Sequence, residues 1–158
     1  MSRNVPPRPA GAQTLPSFEV SLRSSDLAVR EALARILTEL DPLSLDIEET
    51  GTVELVLAEV LNNIVEHAYP AETEGGPIRI FCQPAQDGLH VRITDCGAAM
   101  PEGHLPLGRA VEVDVDFSEL PEGGFGWFLI QDLAKDVEYV RVGAQNRLSM
   151  RLPVGMLV

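Results

Sequence analysis

Apolar and polar residues are arranged along the chain in patterns that predict five strands and three helices. Between residues 27 and 40 the apolar positions recur every three or four residues, which is typical of one buried helical face. Between residues 89 and 94 apolar and polar residues alternate strictly, which indicates a half-buried strand. The same reasoning predicts, in chain order, strand 18–22, helices 27–40 and 46–68, strands 78–83 and 89–94, helix 126–133, and strands 137–142 and 147–152.

Proline, glycine and capping residues mark the limits of these elements. The second helix is predicted to begin at Asp46, since Glu49 three residues later completes a capping box, and to stop before Tyr69 and Pro70. Residues 97–124 contain prolines and show no sustained periodicity, so they are predicted to form a long loop that is either a lid or a disordered insert. Residues 1–16 are rich in proline and are predicted to be a disordered arm. This leaves 17–158 as the folded domain.

The order of elements indicates an α+β fold. A chain of 158 residues, 45% hydrophobic, is long enough for one sizeable core and too short for two. Most of the strands are joined as hairpins, and each helix needs one surface to cover. We therefore predict a two-layer α/β sandwich, in which a mixed, mostly antiparallel sheet is covered on one face by about three helices, with a lid.

Charge and composition exclude several classes of partner. A formal charge of −12 is unfavourable for nucleic acid or an anionic membrane, because both require clustered lysine and arginine. The two cysteines lack the spacing of metal ligands, which favours ordinary reduced thiols. The sequence shows neither the apolar core of a signal peptide nor an apolar run of membrane length. A cytoplasmic protein is the resulting expectation. An acidic chain can still bind a mononucleotide through backbone N–H groups and a divalent cation.

The second helix carries a polar row beside its apolar stripe. Glu59, Asn63 and His67 follow one another at intervals of four residues and so lie along one margin of the helix. An asparagine oxygen suits a hard cation such as Mg²⁺, and a glutamate one turn away can accept a proton from a hydroxyl or a water. The alternative is an ordinary solvated helix edge.

A short polar segment follows the strand predicted at 89–94. Asp95 can accept a hydrogen bond from the exocyclic amine of a purine, and Gly97 lets the backbone approach a flat base. Met100 is flexible and apolar enough to pack on a base. Alternatively, the aspartate and glycine belong to a common turn and the methionine fills the core.

A glycine-rich segment precedes the third predicted helix, where it would bring free N–H groups together at a helix start and so form a phosphate cradle. It lacks the Lys-Ser/Thr of a P-loop, and the alternative is an ordinary hinge. Its residues are Gly123, Gly124, Phe125, Gly126 and Trp127.

Three motifs occur in an order found in one ATPase superfamily. Residues 59–69 (EVLNNIVEHAY), 95–101 (DCGAAMP) and 121–126 (PEGGFG) resemble the N, G1 and G2 boxes of the gyrase, chaperone, histidine-kinase and MutL ATPases. More closely, they resemble the anti-sigma-factor serine kinases, and residues 146–150 are similar to that family's closing strand.

The resemblance implies a Bergerat-type fold that binds ATP or ADP. By this resemblance Asn63 coordinates Mg²⁺, Asp95 binds the adenine amine, Glu59 is the general base, and segment 123–126 closes over the phosphates. It also implies a homodimer that holds a sigma factor or phosphorylates a serine of a small STAS-type antagonist protein. Two departures are Ala99, where the family has a second G1 glycine, and a lid whose only obvious phosphate contact is Arg109.

Two functions remain open at this point. One is a serine/threonine protein kinase of anti-sigma type, motivated by Glu59 one turn before Asn63. The other is a binding module without phosphate transfer, in which ATP and ADP set the shape of the lid and so select a protein partner.

Overall fold

The computed structural model describes residues 15–69, 75–100 and 124–156. In this part of the chain the predicted strands and helices all occur. They are β1 (Phe18–Arg23), α1 (Asp26–Glu39), α2 (Ile47–Asn63), β2 (Pro77–Ala85), β3 (Gly88–Asp95), α3 (Gly124–Leu133), β4 (Lys135–Val142) and β5 (Gln145–Leu152). The predicted arm, 1–16, and the predicted lid, 97–124, fall mostly outside the described residues.

Local hydrogen bonds explain where the first two helices begin. Ser25 caps α1 by accepting a hydrogen bond from the amide of Ala28 at 3.1 Å. At α2, Asp46 accepts from the amide of Glu49 at 2.7 Å, and the Glu49 side chain accepts from the amide of Asp46 at 3.1 Å. The capping box predicted for the second helix is therefore present.

The end of the second helix differs from its prediction as one continuous helix to residue 68. The α-helical pattern stops at Asn63, and a π-helical turn spans Ile64–Ala68. Such turns are widened by one residue relative to an α-helix and occur often at functional sites. The sequence pattern could not reveal this change, because a π-helical turn of five residues is too short to alter the apolar periodicity of the helix.

Hairpin geometry extends β2 and β3 beyond their predicted limits. Ala85 pairs with Gly88, so only Gln86 and Asp87 remain between the strands. The sequence predicts a strand that ends at residue 83, before Pro84 and Ala85. Proline is accommodated here within the register, opposite Leu89. The two-residue connection is the usual length for a tight hairpin.

Five strands form one sheet in the order β1-β2-β3-β5-β4. Every described strand pair is antiparallel, which confirms the expectation of a mostly antiparallel sheet. Alternate strand residues such as Ile80 and Ile93 are buried together with Ile36, Leu57 and Ile130 of the three helices. The helices therefore cover one face of the sheet, as predicted, and the opposite face is open to solvent. Among the described residues no helix combines the length and apolar character needed to cross a membrane.

Candidate functional site

Three polar side chains are buried among the apolar core residues of the described chain. They are Asn63 at the end of α2, Asp95 at the end of β3, and Asn146 near the start of β5, each 8% exposed or less. Burying a polar group costs free energy unless it is hydrogen-bonded. Their partners therefore indicate what each residue does.

Asn63 presents an oxygen at the last α-helical position of α2. Its Nδ2 donates a hydrogen bond to the carbonyl of Glu59 at 2.6 Å, which leaves its Oδ1 available as an acceptor. An amide oxygen of this kind is a suitable ligand for a hard divalent cation. The sequence predicts that Asn63 lies on one margin of the helix, and in the structure its side chain has limited access to solvent.

Asp95 has one carboxylate oxygen engaged by the protein. Oδ1 accepts hydrogen bonds from the amide of Gly97 at 2.9 Å and from Nδ2 of Asn146 at 2.8 Å. Burial raises the pKa of Asp95, whereas these two hydrogen bonds and the charge of Arg141 act to lower it. Oδ2 remains the oxygen that can accept from a bound ligand, such as the amine of a purine.

Asn146 connects Asp95 to strand β4 and was missed as a site residue by the sequence analysis. Its Oδ1 accepts from the hydroxyl of Tyr139 at 2.6 Å and from Arg141 at 2.9 Å, while its Nδ2 also donates to the carbonyl of Ala98 at 2.9 Å. Asn146 lies opposite both Asp95 and Arg141 in the strand register. To identify Asn146 as a site residue, one would have had to predict correctly how β3, β4 and β5 pair.

Arg141 and Tyr139 also hold the segment after Asp95. Arg141 donates to the carbonyl of Gly97 at 2.8 Å, and the amide of Met100 donates to the hydroxyl of Tyr139 at 3.0 Å. Met100 packs partly buried against the core. The turn from Asp95 to Met100 is thus fixed by side chains of β4 and β5.

The same turn rests on the end of the helix that carries Asn63. The amide of Ala98 donates to the carbonyl of Ala68 in the π-helical turn at 2.9 Å. The hydroxyl of Tyr69 accepts from the amide of Cys96 at 2.7 Å and donates to the carbonyl of Pro77 at 2.8 Å. Burial raises the pKa of Tyr69, which keeps its hydroxyl protonated as a donor. The structure therefore links the Asn63 helix and the Asp95 turn through direct contacts.

Only glycine fits at position 97 in this arrangement. A Cβ at Gly97 would lie 2.4 Å from the carbonyl oxygen of Ala68, closer than real Cβ contacts allow. From the sequence, this glycine is expected to let the backbone approach a flat base. The structure supplies a second reason, which is the close approach of the helix end.

Glu59 and His67 lie on either side of Asn63 along the helix. Glu59 is half-buried one turn before it. His67 is 61% exposed in its side chain and lies 3.7 Å from the carboxylate of Glu66. The roles predicted for both residues stay predictions.

The glycine-rich segment enters α3 earlier than predicted. The helix begins at Gly124 and not at Gly126, so Gly124, Phe125, Gly126 and Trp127 form its first turn. The first N–H groups of a helix have no carbonyl partner within the helix, so they stay available to an anion. Gly123 and Arg109, both predicted phosphate contacts, lie outside the described residues.

A magnesium ion would fit this site only together with the phosphates of a ligand. Within residues 15–69, 75–100 and 124–156, no three histidine, cysteine or acidic side chains come together as a metal cluster. Magnesium commonly takes one or two protein ligands and completes its shell with phosphate oxygens and water. The acceptor oxygen of Asn63 suits that kind of coordination.

Comparison with known families agrees with this geometry. The family described as the histidine kinase-like ATPase domain matches residues 22–152. The chain belongs to this family. The match covers β2 to β5 and all three helices in full, and it includes the last two residues of β1. It confirms the superfamily that the three motifs resembled.

Curated relatives place the chain near one group of the family. A serine-protein kinase RsbW of Halalkalibacterium halodurans is 33% identical over 95 residues, covering 59% of this chain and 54% of that protein. The RsbW of Listeria innocua is 32% identical over 92 residues, covering 58% of each. The chain therefore spans little more than half the length of these relatives. The resemblance to the anti-sigma-factor serine kinases is confirmed.

A solved structure supports the fold. The chain is similar to a crystal structure of the RsbU and RsbW domains of Rv1364c from Mycobacterium tuberculosis, with a TM-score of 0.60 and 16% identity. The similarity covers 88% of this chain and 32% of that one. At this identity the likeness concerns the fold alone.

Proposed function

We propose that this chain is an ATP-dependent serine/threonine protein kinase of anti-sigma type. The observation that carries the proposal is the state of Asp95: it is buried, its Oδ1 is saturated by Gly97 and Asn146, and its Oδ2 is left for a ligand. A carboxylate oriented in this way selects a ligand with an amine, as adenine has. Membership of the histidine kinase-like ATPase family supports the same ligand.

The remaining residues would act on the triphosphate. Asn63 would hold Mg²⁺ through Oδ1, and the first-turn N–H groups of α3 would bind phosphate oxygens. Met100 would pack on the base, and His67, Gly123 and Arg109 would add contacts to the nucleotide. Magnesium would neutralise phosphate charge, while Glu59 would accept the proton of the attacking serine hydroxyl. ADP would occupy the same site after transfer.

The substrate would be a protein. Relatives named serine-protein kinase RsbW support a protein serine as the phosphate acceptor. By the resemblance to the anti-sigma-factor serine kinases, that serine would belong to a STAS-type anti-sigma-factor antagonist, and a sigma factor would be a second partner. The protein would act in the cytoplasm as a homodimer, without binding nucleic acid or a membrane. Residues 17–158 would form the ATPase domain, preceded by an arm at 1–16.

Phosphate transfer from radiolabelled ATP to the antagonist tests the proposal. Glu59→Gln should slow transfer by about 10²–10⁴-fold, the usual contribution of a general base. Glu54→Gln is the matched control because Glu54 is an exposed acid of the same helix. Calorimetry should show that both variants bind Mg-ATP as the wild type does.

Two results would contradict the proposal. Equal transfer rates in the wild type and Glu59→Gln would refute Glu59 as the base. If Glu59→Gln and Glu54→Gln both transfer phosphate at the wild-type rate, and Asp95→Ala also binds Mg-ATP with unchanged affinity, the nucleotide site itself would be refuted.

A further inference from the structure

The open face of the sheet is unexpectedly basic. Strand residues that alternate with the buried ones point away from the helices, and five of them are arginines. The chain has only 12 lysines and arginines in total and a net charge of −12. We call this surface the basic face, and its arginines are Arg23, Arg79, Arg92, Arg147 and Arg151.

Strand register arranges the basic face in two rows that cross all five strands. In order β1-β2-β3-β5-β4, the first row is Ser21, Arg79, Thr94, Arg147 and Val140, and the second is Glu19, Phe81, Arg92, Ser149 and Glu138. Arg79 and Arg147 are two strands apart, which corresponds to about 10 Å at the usual strand spacing. Arg79, Arg92 and Arg147 therefore lie on the three central strands, whereas Glu19 and Glu138 lie on the two outer strands.

Most of this positive charge has no ion-pair partner within residues 15–69, 75–100 and 124–156. Arg151 is paired with Asp136 at 3.0 Å and with Asp87 at 3.8 Å. Among the described residues, no ion pair joins Arg79, Arg92 or Arg147 to a carboxylate. The Nε of Arg147 is buried and makes no hydrogen bond there. Buried donors are normally satisfied, so it is notable that this atom of the Arg147 guanidinium is not engaged by an acceptor in the described part of the fold.

The chemistry of the basic face resembles the core of a protein interface. The guanidinium of Arg92 lies over the ring of Phe81, with 5.1 Å between its Cζ and the ring centroid. Val140 and Val142 on the edge strand are 39% and 53% exposed. Arginine and aromatic residues are enriched at the centres of protein interfaces.

We propose that the basic face is a docking surface for an acidic segment of another protein, whose carboxylates pair with Arg79 and Arg147. Charge complementarity fixes this choice of occupant. A second copy docked face to face would place arginines against arginines. A polyphosphate chain carries charge along its whole length and would meet Glu19 and Glu138 on crossing the strands, whereas two carboxylates of a protein segment can stay between Arg79 and Arg147 on the central strands. The inference does not rest on the proposed kinase activity.

The spacing of the two arginines makes the proposal specific. A helix rises about 1.5 Å per residue, so acidic residues seven positions apart are about 10 Å apart on one face. The probe is therefore an alanine-rich fluorescent peptide with glutamates at that spacing. An isomer of identical composition with the glutamates on opposite faces is the reference. Fluorescence anisotropy with the full chain should show at least tenfold tighter binding of the spaced peptide.

Paired charge reversals locate the binding surface. Arg79→Glu with Arg147→Glu should weaken the spaced peptide at least tenfold. Arg30→Glu with Arg35→Glu changes the net charge equally on the exposed side of α1 and should leave binding unchanged. If the first pair does not fold by circular dichroism, Arg79→Gln with Arg147→Gln removes the two positive charges without adding negative ones and should show a smaller loss in the same direction.

Several outcomes would overturn the proposal. These are equal losses in both reversal pairs, equal affinity for the two peptide isomers, or tighter binding of a single-stranded oligonucleotide than of the spaced peptide. A change of oligomeric state in Arg79→Glu with Arg147→Glu, measured by sedimentation, would assign the face to a second copy instead.

Discussion

Replacing Gly97 by alanine perturbs the contact between the Asp95 turn and the end of the second helix. The added Cβ would lie 2.4 Å from the carbonyl oxygen of Ala68 and 2.7 Å from its carbonyl carbon and Cβ. These atoms belong to the backbone of the π-helical turn or are attached directly to it, so no flexible side chain can move aside. The turn must retreat by about 0.6 Å to restore even the 3.0 Å limit.

Such a shift acts on the predicted nucleotide site through its hydrogen bonds. The amide of Gly97 donates to Asp95, and its carbonyl accepts from Arg141. Overpacking of this kind typically costs about 1–3 kcal/mol. If the whole cost falls on the ligand-bound conformation, the affinity for Mg-ATP drops by about five- to 150-fold, since about 1.4 kcal/mol is tenfold.

Isothermal calorimetry with Mg-ATP and urea unfolding measure the two consequences separately. Gly51→Ala is the matched control because a Cβ there meets nothing within 4 Å. Position 51 lies inside α2, where alanine should raise the unfolding free energy by about 0.5–1 kcal/mol and leave affinity unchanged. Wild-type stability and affinity in Gly97→Ala would refute the steric argument. Reduced stability with unchanged affinity would show that the turn does not position Asp95.

Three further predictions concern titration, thiol reactivity and packing. Burial raises the folded pKa of Asp95 above 3.8, so its stabilising contribution is complete below pH 3.8 and is lost as the pH rises through the folded pKa. Urea unfolding at several pH values should therefore show that the wild type loses stability relative to Asp95→Asn as pH rises; a constant difference would contradict this. Burial also raises the pKa of Cys82 to about 12, whereas Cys96 is exposed. Mass spectrometry after iodoacetamide treatment should find Cys96 alone modified in the native protein and both thiols modified in urea, and early labelling of Cys82 would disprove its burial. Leu57→Ala should lower the unfolding free energy by about 2–5 kcal/mol, because Leu57 is fully buried. Leu55→Ala, on the exposed side of the same helix, should change it by about 0.5 kcal/mol or less, and similar losses in both would argue against the described core.

Local sequence patterns were sufficient to predict the helices and strands and to predict which face of the sheet is buried. The apolar repeat of α1 and the capping box at Asp46 depend on residues within a few positions of each other, so both could be predicted. The strand face that is buried follows from alternation alone, as at Leu89, Val91 and Ile93. The limits of β2 could not be predicted, because Pro84 favours a loop locally and pairs with Leu89 only in the sheet.

The candidate site was predictable where its residues lie within one motif. Asn63 and Asp95 were selected from short patterns and from a family resemblance, and the structure buries both. Asn146 was overlooked, since an asparagine in a strand carries no local signal of its role. Its contacts with Asp95 and Tyr139 depend on two strand pairings.

The sequence by itself determined which segments are helical or extended, which face of each is apolar, and the order of motifs that indicates the family. Those properties depend on neighbouring residues in the chain. Tertiary structure alone decided that Ala68 lies against Gly97 and that five arginines share one open face of an acidic protein. These contacts join residues distant in sequence, and strand order and register set them, which no local pattern specifies.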